Sequence, residues 1–291
     1  MENESKHVAV LTCDTTFPGI TEKYGDFGDN VIDMLEKSGT CKYPGRKYQV
    51  AFSEREAYED ELREVYVSLE EGISNGSVVG VVLSGSRSDA FAEGVQWIER
   101  LDRFLKAFLF VRDRFPIVGI CFGHQIIAKN LGCKVGRNAP DIGWECGTST
   151  ISLNNDILNI ENSPFTKTLN DENGCFIEHV NLVQMHQDVV FNLPPPDVAE
   201  KRKTTIKSIG STNKCSIQGL VTDSGPLKIL TFQGHPEFST SECLDILDKT
   251  HKAGAISTNF YEKCIYNTGI LNNQGSLIGQ AIGIYLSSFD S

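Results

Sequence analysis

The sequence predicts a doubly wound α/β fold, in which helices cover both faces of a mostly parallel sheet. In the first half of the chain, short runs that are apolar at nearly every position alternate with longer segments of helical apolar spacing. A strand that is apolar on both faces must be covered on both sides, which is the arrangement of a parallel sheet. A further apolar run at residues 228–232 extends the pattern toward the end of the chain.

The elements of the first half follow one another in strand–helix order. Strands are predicted at residues 7–13, 47–52, 77–84 and 117–121. Helices are predicted from apolar residues at helical spacing at 29–37, 54–69, 95–111 and 125–131. The acidic stretch at residues 54–71 is expected to be the solvated face of its helix.

The second half is less regular and predicts an added antiparallel arm. Strands are predicted at residues 148–153, 176–183 and 215–221, a stiff connector at 193–197 (LPPPD), a buried strand at 228–232 and a helix at 241–249. Residues 258–276 contain NTG and NNQG and predict a loop before a short amphipathic C-terminal segment. Because no repeat or linker is evident, we expect one domain over residues 1–291, with a core at about 7–250 and an extension at 251–291.

The charge balance and hydropathy exclude two kinds of partner. The chain has 27 Lys and Arg against 38 Asp and Glu, a net charge of −11, so it offers no basic face for nucleic acid. No run of about 18 apolar residues is present, so no membrane-spanning helix is expected. The acidic N-terminus leads into a strand rather than a signal peptide. We therefore expect a cytoplasmic protein.

The nine cysteines are scattered and never spaced C-x-x-C. Such a set is typical neither of a disulfide framework nor of a zinc site. His7, His179 and His251 also lack the spacing of metal ligands, so we expect no metal and no cofactor. Most of the cysteines are expected to be buried thiols in a reducing compartment.

Cys121 has surroundings that the other cysteines lack. It lies in the pattern G-x-C-x-G, formed by Gly119, Cys121 and Gly123, between a predicted strand and a predicted helix. This is the pattern of a nucleophile elbow, a sharp strand-to-helix turn in which neighbouring side chains would clash. The helix N-terminus favours a thiolate over a thiol. The pattern therefore predicts a reactive cysteine.

A general base and its orienting carboxylate are predicted after the last buried strand. His235 and Glu237 lie in the segment FQGHPE, at the carboxyl end of that strand. Because the carboxyl ends of parallel strands share one edge of a sheet, His235 can meet Cys121 although they are far apart in the chain. A carboxylate two residues away can hold the imidazole in one tautomer.

Small residues after the third strand predict an oxyanion hole. The segment LSGSRS places Gly85 and Ser86 where their backbone N–H groups can face the same cleft. The N–H of Phe122, directly after the nucleophile, is the expected second donor. Each such donor is worth roughly 3 kcal/mol to a transition state of acyl transfer.

The segments VGICFGHQIIAKNLGCKVGRN and TFQGHPEF together resemble the class I, or triad, glutamine amidotransferase family over about residues 7–249. The resemblance implies a flavodoxin-like fold, with Cys121 as nucleophile, His235 as general base and Glu237 as third triad member. It also implies substrate contacts from Gly85, Gln125, His186, Gln187 and Asp188. Within the family, the chain resembles a stand-alone branch that includes γ-glutamyl peptidases and GMP synthase-like amidotransferases.

One departure concerns the oxyanion loop, where Gly85-Ser86-Arg87 replaces the G-G-P or N-G-P of many members. No ATP-pyrophosphatase signature is evident.

We expect hydrolysis of γ-glutamyl amides, either glutamine or peptides such as glutathione, through a glutamyl thioester. Three alternatives stay open: a glutaminase subunit that supplies ammonia to a separate synthetase, a non-catalytic regulator of the same fold, and a cysteine hydrolase of another superfamily, which the G-H-P-E segment disfavours.

Overall fold

A seven-stranded sheet forms the centre of the computed structural model, which describes residues 5–51 and 58–289. The strands of the described chain are β1 (His7–Thr12), β2 (Gly45–Gln49), β3 (Val78–Leu83), β4 (Pro116–Ile120), β5 (Val135–Arg137), β6 (Glu145–Leu153), β7 (His179–His186), β8 (Asp188–Val190), β9 (Thr205–Ser208), β10 (Gly210–Ser211), β11 (Gly219–Ser224) and β12 (Lys228–Phe232). Its α-helices are α1 (Pro18–Tyr24), α2 (Phe27–Ser38), α3 (Tyr58–Asn75), α4 (Gln96–Ala107), α5 (Phe122–Asn130), α6 (Pro196–Arg202), α7 (Thr240–Lys252), α8 (Thr258–Ile270) and α9 (Gly275–Ser287). None of the helices in the described ranges is long and apolar enough to cross a membrane.

The central sheet has the strand order β2-β1-β3-β4-β12-β11-β9. Its first five strands pair in parallel, while β11 and β9 continue it in antiparallel fashion. Strands β1, β3 and β4 are buried almost throughout, as their unbroken apolar sequences require. The mixed, mostly parallel sheet agrees with the predicted fold class.

Two apolar layers cover the central sheet. Helices α3, α4 and α5 contribute buried side chains such as Tyr66, Trp97 and Ile126 to one layer. Helices α2 and α9 contribute Val31 and Ile282 to the other. A packed helix on each face leaves the strand ends, rather than the sheet faces, as the place for a cleft.

The predicted antiparallel arm is a separate three-stranded sheet of order β10-β6-β7. The strand predicted at residues 215–221 corresponds to β11 and is not part of the arm, because β11 pairs with β12 and β9 in the central sheet. Strands β6 and β7 pair along most of their length, and the short pair β5–β8 lies beside α5. A third apolar cluster joins this arm to α1, α7 and α8 through residues such as Ile20, Val183 and Ile246.

The prediction of a loop at residues 258–276 is wrong. The structure has α8 over most of this range, and α9 begins at Gly275. The Ser257 side chain caps α8 by accepting a hydrogen bond from the Phe260 N–H. Thr268 Oγ1 accepts a hydrogen bond from the Thr148 N–H of β6, at 2.9 Å. Packing against β6 thus overrides the turn preference of the Asn and Gly residues.

Two predicted elements include some of residues 52–57, which lie outside the described residues. The predicted strand at 47–52 corresponds to β2, and the predicted helix at 54–69 corresponds to α3. The LPPPD segment leads into the short helix α6 at Pro196 instead of remaining a connector.

Candidate active site

The carboxyl ends of β1, β3, β4 and β12 meet at one edge of the central sheet. Leu83 of β3 pairs with Gly119 of β4, and Phe232 of β12 pairs with Ile120. The residues that follow these strands therefore lie side by side. A cavity of about 310 Å³ opens at this edge, and its lining includes Cys121, His235 and Ser86.

Cys121 lies at the turn between β4 and α5 in a strained backbone conformation, with φ 51° and ψ −103°. A Cβ on Gly119 would lie 2.6 Å from the carbonyl carbon and oxygen of Gly123. A Cβ on Gly123 would clash with the Leu83 carbonyl oxygen. Positive φ at a non-glycine residue is costly and persists only where its surroundings enforce it. The turn has the geometry that the G-x-C-x-G pattern predicts.

His235 forms a buried pair with Glu237. Its Nδ1 lies 2.7 Å from Glu237 Oε1, which leaves Nε2 as the ring nitrogen that can interact with Cys121. Burial alone would lower the pKa of His235, but the charges of Glu237 and Cys121, with hydrogen bonds to both, raise it to about 10. The ring is stacked on Phe238, with centroids 4.2 Å apart. The structure thus brings together the three side chains that the sequence separates.

Gln233 is a contact of the sulfur that sequence reasoning missed. Its Nε2 lies 3.7 Å from Cys121 Sγ and can donate a hydrogen bond to it. Its Oε1 accepts a hydrogen bond from Gln125 Nε2 at 3.1 Å, and the same nitrogen donates to the Asp188 carbonyl oxygen at 3.0 Å. Two buried amides therefore fix the direction of an N–H group toward the sulfur. The position of Gln233 in the segment QGHPE, two residues before His235, is the sequence feature that could have identified it.

The loop after β3 lies against the imidazole. A Cβ on Gly85 would lie 3.1 Å from His235 Cε1. Asp14 holds the loop by accepting hydrogen bonds from the Arg87 N–H at 3.0 Å and from Ser86 Oγ at 3.4 Å. The backbone N–H groups of Ser86 and Phe122 have no acceptor among the described residues. Both predicted donors are therefore available to a bound anion.

His186 braces the wall of the cavity through both of its ring nitrogens. Nε2 lies 3.1 Å from Glu145 Oε2, and Nδ1 lies 3.1 Å from the Asp188 carbonyl oxygen. Glu145 Oε2 also accepts a hydrogen bond from Gln218 at 2.9 Å. These contacts fix the orientation of the His186 ring, which lines the cavity together with Gln187 and Asp188.

Arg137 is a second residue that sequence reasoning missed. Its Nε donates to Asp188 Oδ1 at 2.6 Å, and its second terminal nitrogen donates to Asp89 Oδ1 at 2.7 Å. Burial raises the pKa of Asp188, and the Arg137 charge opposes that rise while the Asp89 charge adds to it. Arg137 lines the cavity with half of its side chain exposed. A lone arginine on a short strand carries no sequence signal, because its partners are distant in the chain.

A second buried carboxyl lies close to the imidazole pair. Glu242 accepts a hydrogen bond from Asn30 Nδ2 at 2.7 Å. Burial, with the negative charge of Glu237, raises the pKa of Glu242 to about 7. The spacing S-T-S-E suggests a capping box, but the Glu242 carboxyl instead joins α7 to α2.

The other buried thiols near the core are not candidates for a nucleophile. Burial raises the pKa of Cys13, Cys133, Cys215 and Cys243 to about 12, so these groups stay protonated at neutral pH. Burial also lowers the pKa of His124 to about 3, and its Nδ1 lies 2.8 Å from Thr231 Oγ1. His124 is therefore a neutral packing group.

Comparisons with known proteins give a consistent result. Residues 58–250 match the profile of the family described as glutamine amidotransferase class-I. A glutamine amidotransferase-like protein of Schizosaccharomyces pombe is 32% identical over 80% of this chain and 80% of its own length. Gamma-glutamyl peptidase 2 of Arabidopsis thaliana is 34% identical over 63% of this chain and 63% of its own length.

The fold itself resembles a solved structure. A glutamine amidotransferase from Thermotoga maritima superposes with a TM-score of 0.57 at 19% identity, over 96% of this chain and 98% of that one. This likeness confirms the predicted class of fold.

Proposed function

Because the chain belongs to the class-I glutamine amidotransferase family, we propose that it hydrolyses γ-glutamyl amides through a thioester on Cys121. The observation that carries this proposal is that Cys121 and His235 line the same cavity, while Glu237 is hydrogen-bonded to His235. A cysteine nucleophile, an imidazole and an orienting carboxylate are the parts that acyl transfer requires.

In the first half of the reaction, the Cys121 sulfur attacks the γ-carbonyl carbon and a C–S bond forms. The carbonyl π electrons move to oxygen, which accepts hydrogen bonds from the N–H groups of Ser86 and Phe122. When the C–N bond breaks, His235 Nε2 gives its proton to the departing nitrogen. Free amine and a glutamyl thioester result.

In the second half, His235 takes a proton from water, and the resulting hydroxide attacks the thioester carbon. The C–S bond breaks, the sulfur leaves as a thiolate, and glutamate is released. Glu237 holds Nδ1–H throughout, so that Nε2 always faces the reacting atoms. Gln233 gives the sulfur a hydrogen bond in its anionic state.

The polar wall of the cavity is the proposed site of the glutamyl part. Asp89 and Asp188 can accept hydrogen bonds from an α-ammonium group, and Arg137 between them can bind an α-carboxylate. Gln125 and Gln187 line the same wall. This distribution of charge suits the zwitterionic end of a glutamyl residue.

Substrate turnover in matched variants tests the proposal. The wild-type protein is incubated with glutamine, glutathione and γ-glutamyl dipeptides, and released glutamate is measured. Cys121→Ala is expected to abolish release, whereas Cys175→Ala, at an exposed cysteine, keeps it. Release of glutamate that persists in Cys121→Ala would show that Cys121 is not the nucleophile. Activity that appears only after addition of a synthetase would favour the ammonia-supplying alternative.

A further inference from the structure

The cavity lined by Cys121 and His235 also has a mainly apolar part, here termed the channel. Its apolar side chains all belong to or pack against one apolar cluster, and they are Phe17, Phe27, Trp144, Met185, Phe238 and Ile246. Phe27 and Phe238 lie close together, with ring centroids 6.0 Å apart, and pack in the same cluster as Ile246. This apolar part of the cavity therefore has a different chemical character from the polar wall around Arg137.

The length of the channel follows from helix geometry. Ile246 and Thr250 of α7, with Ala253 at the C-terminal cap, line it at spacings of four and three residues, which places them on one face of the helix. Seven residues of helix span about 10 Å. Ala253 and Ala255 are exposed, so the far end of the channel is open to solvent. Ammonia alone would leave most of this length unfilled.

The position of His235 decides which part of a substrate enters the channel. In the proposed mechanism, His235 protonates the departing nitrogen, so the departing group must lie on the imidazole's side of the scissile bond. The imidazole is stacked on Phe238, at 4.2 Å, and lies 6.4 Å from Phe27. A substituent on the departing nitrogen therefore extends along the apolar wall.

The positive charge of Arg87, which lines the cavity, is compensated by Asp14. The Arg87 guanidinium lies over the Phe17 ring, 6.0 Å from its centroid, and its Nε lies 3.5 Å from Asp14. A carboxylate in the channel would have to compete with Asp14 for this cation.

We propose that this channel is a binding site for the departing amine, selective for amines that carry an apolar side chain. The proposal rests on the proposed function and deepens it, because it names the second half of the substrate. Glutamine, whose departing group is ammonia, becomes the poorer substrate.

The test compares kcat/KM for glutamine, γ-glutamyl-phenylalanine and γ-glutamyl-aspartate. The two dipeptides both carry an α-carboxylate on the departing amine, so they differ only in the side chain. A hydrophobic pocket discriminates by about tenfold or more for a single methylene group, so we expect at least that preference for the phenylalanine dipeptide. Equal or better turnover of either other substrate overturns the inference. If no substrate is hydrolysed, the proposed function is wrong, and the inference is then tested by binding to the unmodified protein. Tighter binding of γ-glutamyl-phenylalanine than of glutamine supports the inference. Equal binding of the two refutes it.

Variants of the channel residues test whether the channel causes the preference for an apolar departing amine. Phe17→Ala is expected to lower the ratio of kcat/KM for γ-glutamyl-phenylalanine over glutamine by about tenfold. Val111→Ala, at a residue that is 64% exposed and outside the cavity, is the matched control and keeps the wild-type ratio. Ile246→Ala is a second channel variant in case Phe17→Ala does not fold. A wild-type ratio in a folded channel variant would contradict the assignment.

Discussion

Replacement of Glu237 by Gln tests how the imidazole is kept protonated. The substitution keeps an oxygen that can accept the Nδ1–H hydrogen bond, now 2.7 Å long, and removes the negative charge. Burial alone lowers the pKa of His235, and the charge of Glu237 is the largest of the influences that raise it to about 10. We therefore expect Glu237→Gln to shift the alkaline limb of the activity profile to lower pH.

The size of the shift follows from the geometry. Two unit charges about 4 Å apart interact by about 4 kcal/mol at an effective dielectric constant of ~20. One pH unit corresponds to about 1.4 kcal/mol, so the shift has a ceiling of roughly three units. Because relaxation and water entry reduce this energy, we expect a shift of about one unit or more.

The assay is kcat/KM for release of glutamate from a γ-glutamyl dipeptide between pH 5 and about 10. An amide of a weakly basic amine would be unsuitable, because its departure needs little protonation. Glu262→Gln, at an exposed glutamate of α8, is the matched control. An alkaline limb that stays in place in Glu237→Gln would refute the proposed role of the carboxylate.

Three further predictions concern neighbouring residues. Gly119→Ala places a Cβ 2.6 Å from Gly123 and should lower the free energy of unfolding, measured by denaturant titration, by about 1–3 kcal/mol or more. Gly269→Ala, where a Cβ on α8 meets open space, is the control and should not lower it. Gln233→Leu removes the donor to Cys121 Sγ and should slow alkylation of that sulfur at neutral pH by about tenfold. Arg137→Met should raise KM for γ-glutamyl substrates more than it lowers kcat.

The raised pKa of His235 also makes stability depend on pH. The folded protein holds this proton up to about pH 10, whereas an unfolded histidine loses it near 6.5. Between these values the folded state binds more protons, so its stabilisation is complete below about pH 6.5 and is lost as pH rises toward 10. This decline should be smaller in Glu237→Gln.

The sequence predicts those parts of the site that depend on local geometry. The glycines beside Cys121 identify the turn, because they are required by contacts within one strand and one helix. The placement of His235 follows from the rule that parallel strands end at one edge, together with the apolar run that precedes it. Both predictions use only short-range patterns and the topology of the sheet.

The residues that the sequence leaves unidentified act through long-range contacts. Arg137 acquires its role from Asp89, 48 positions away, and Glu242 acquires its role from Asn30, 212 positions away. Helix α8 was missed for a related reason, because its packing on β6 outweighs local turn preference. Such contacts exist only once the chain has folded.

Mass spectrometry can detect a glutamyl thioester on Cys121. The protein is mixed with a γ-glutamyl dipeptide, quenched in acid and digested. We expect a glutamyl adduct on the peptide that contains Cys121, formed and lost at the rate of turnover and missing from Cys121→Ala. Turnover without such an adduct, or an adduct on another cysteine such as Cys175, would contradict this expectation.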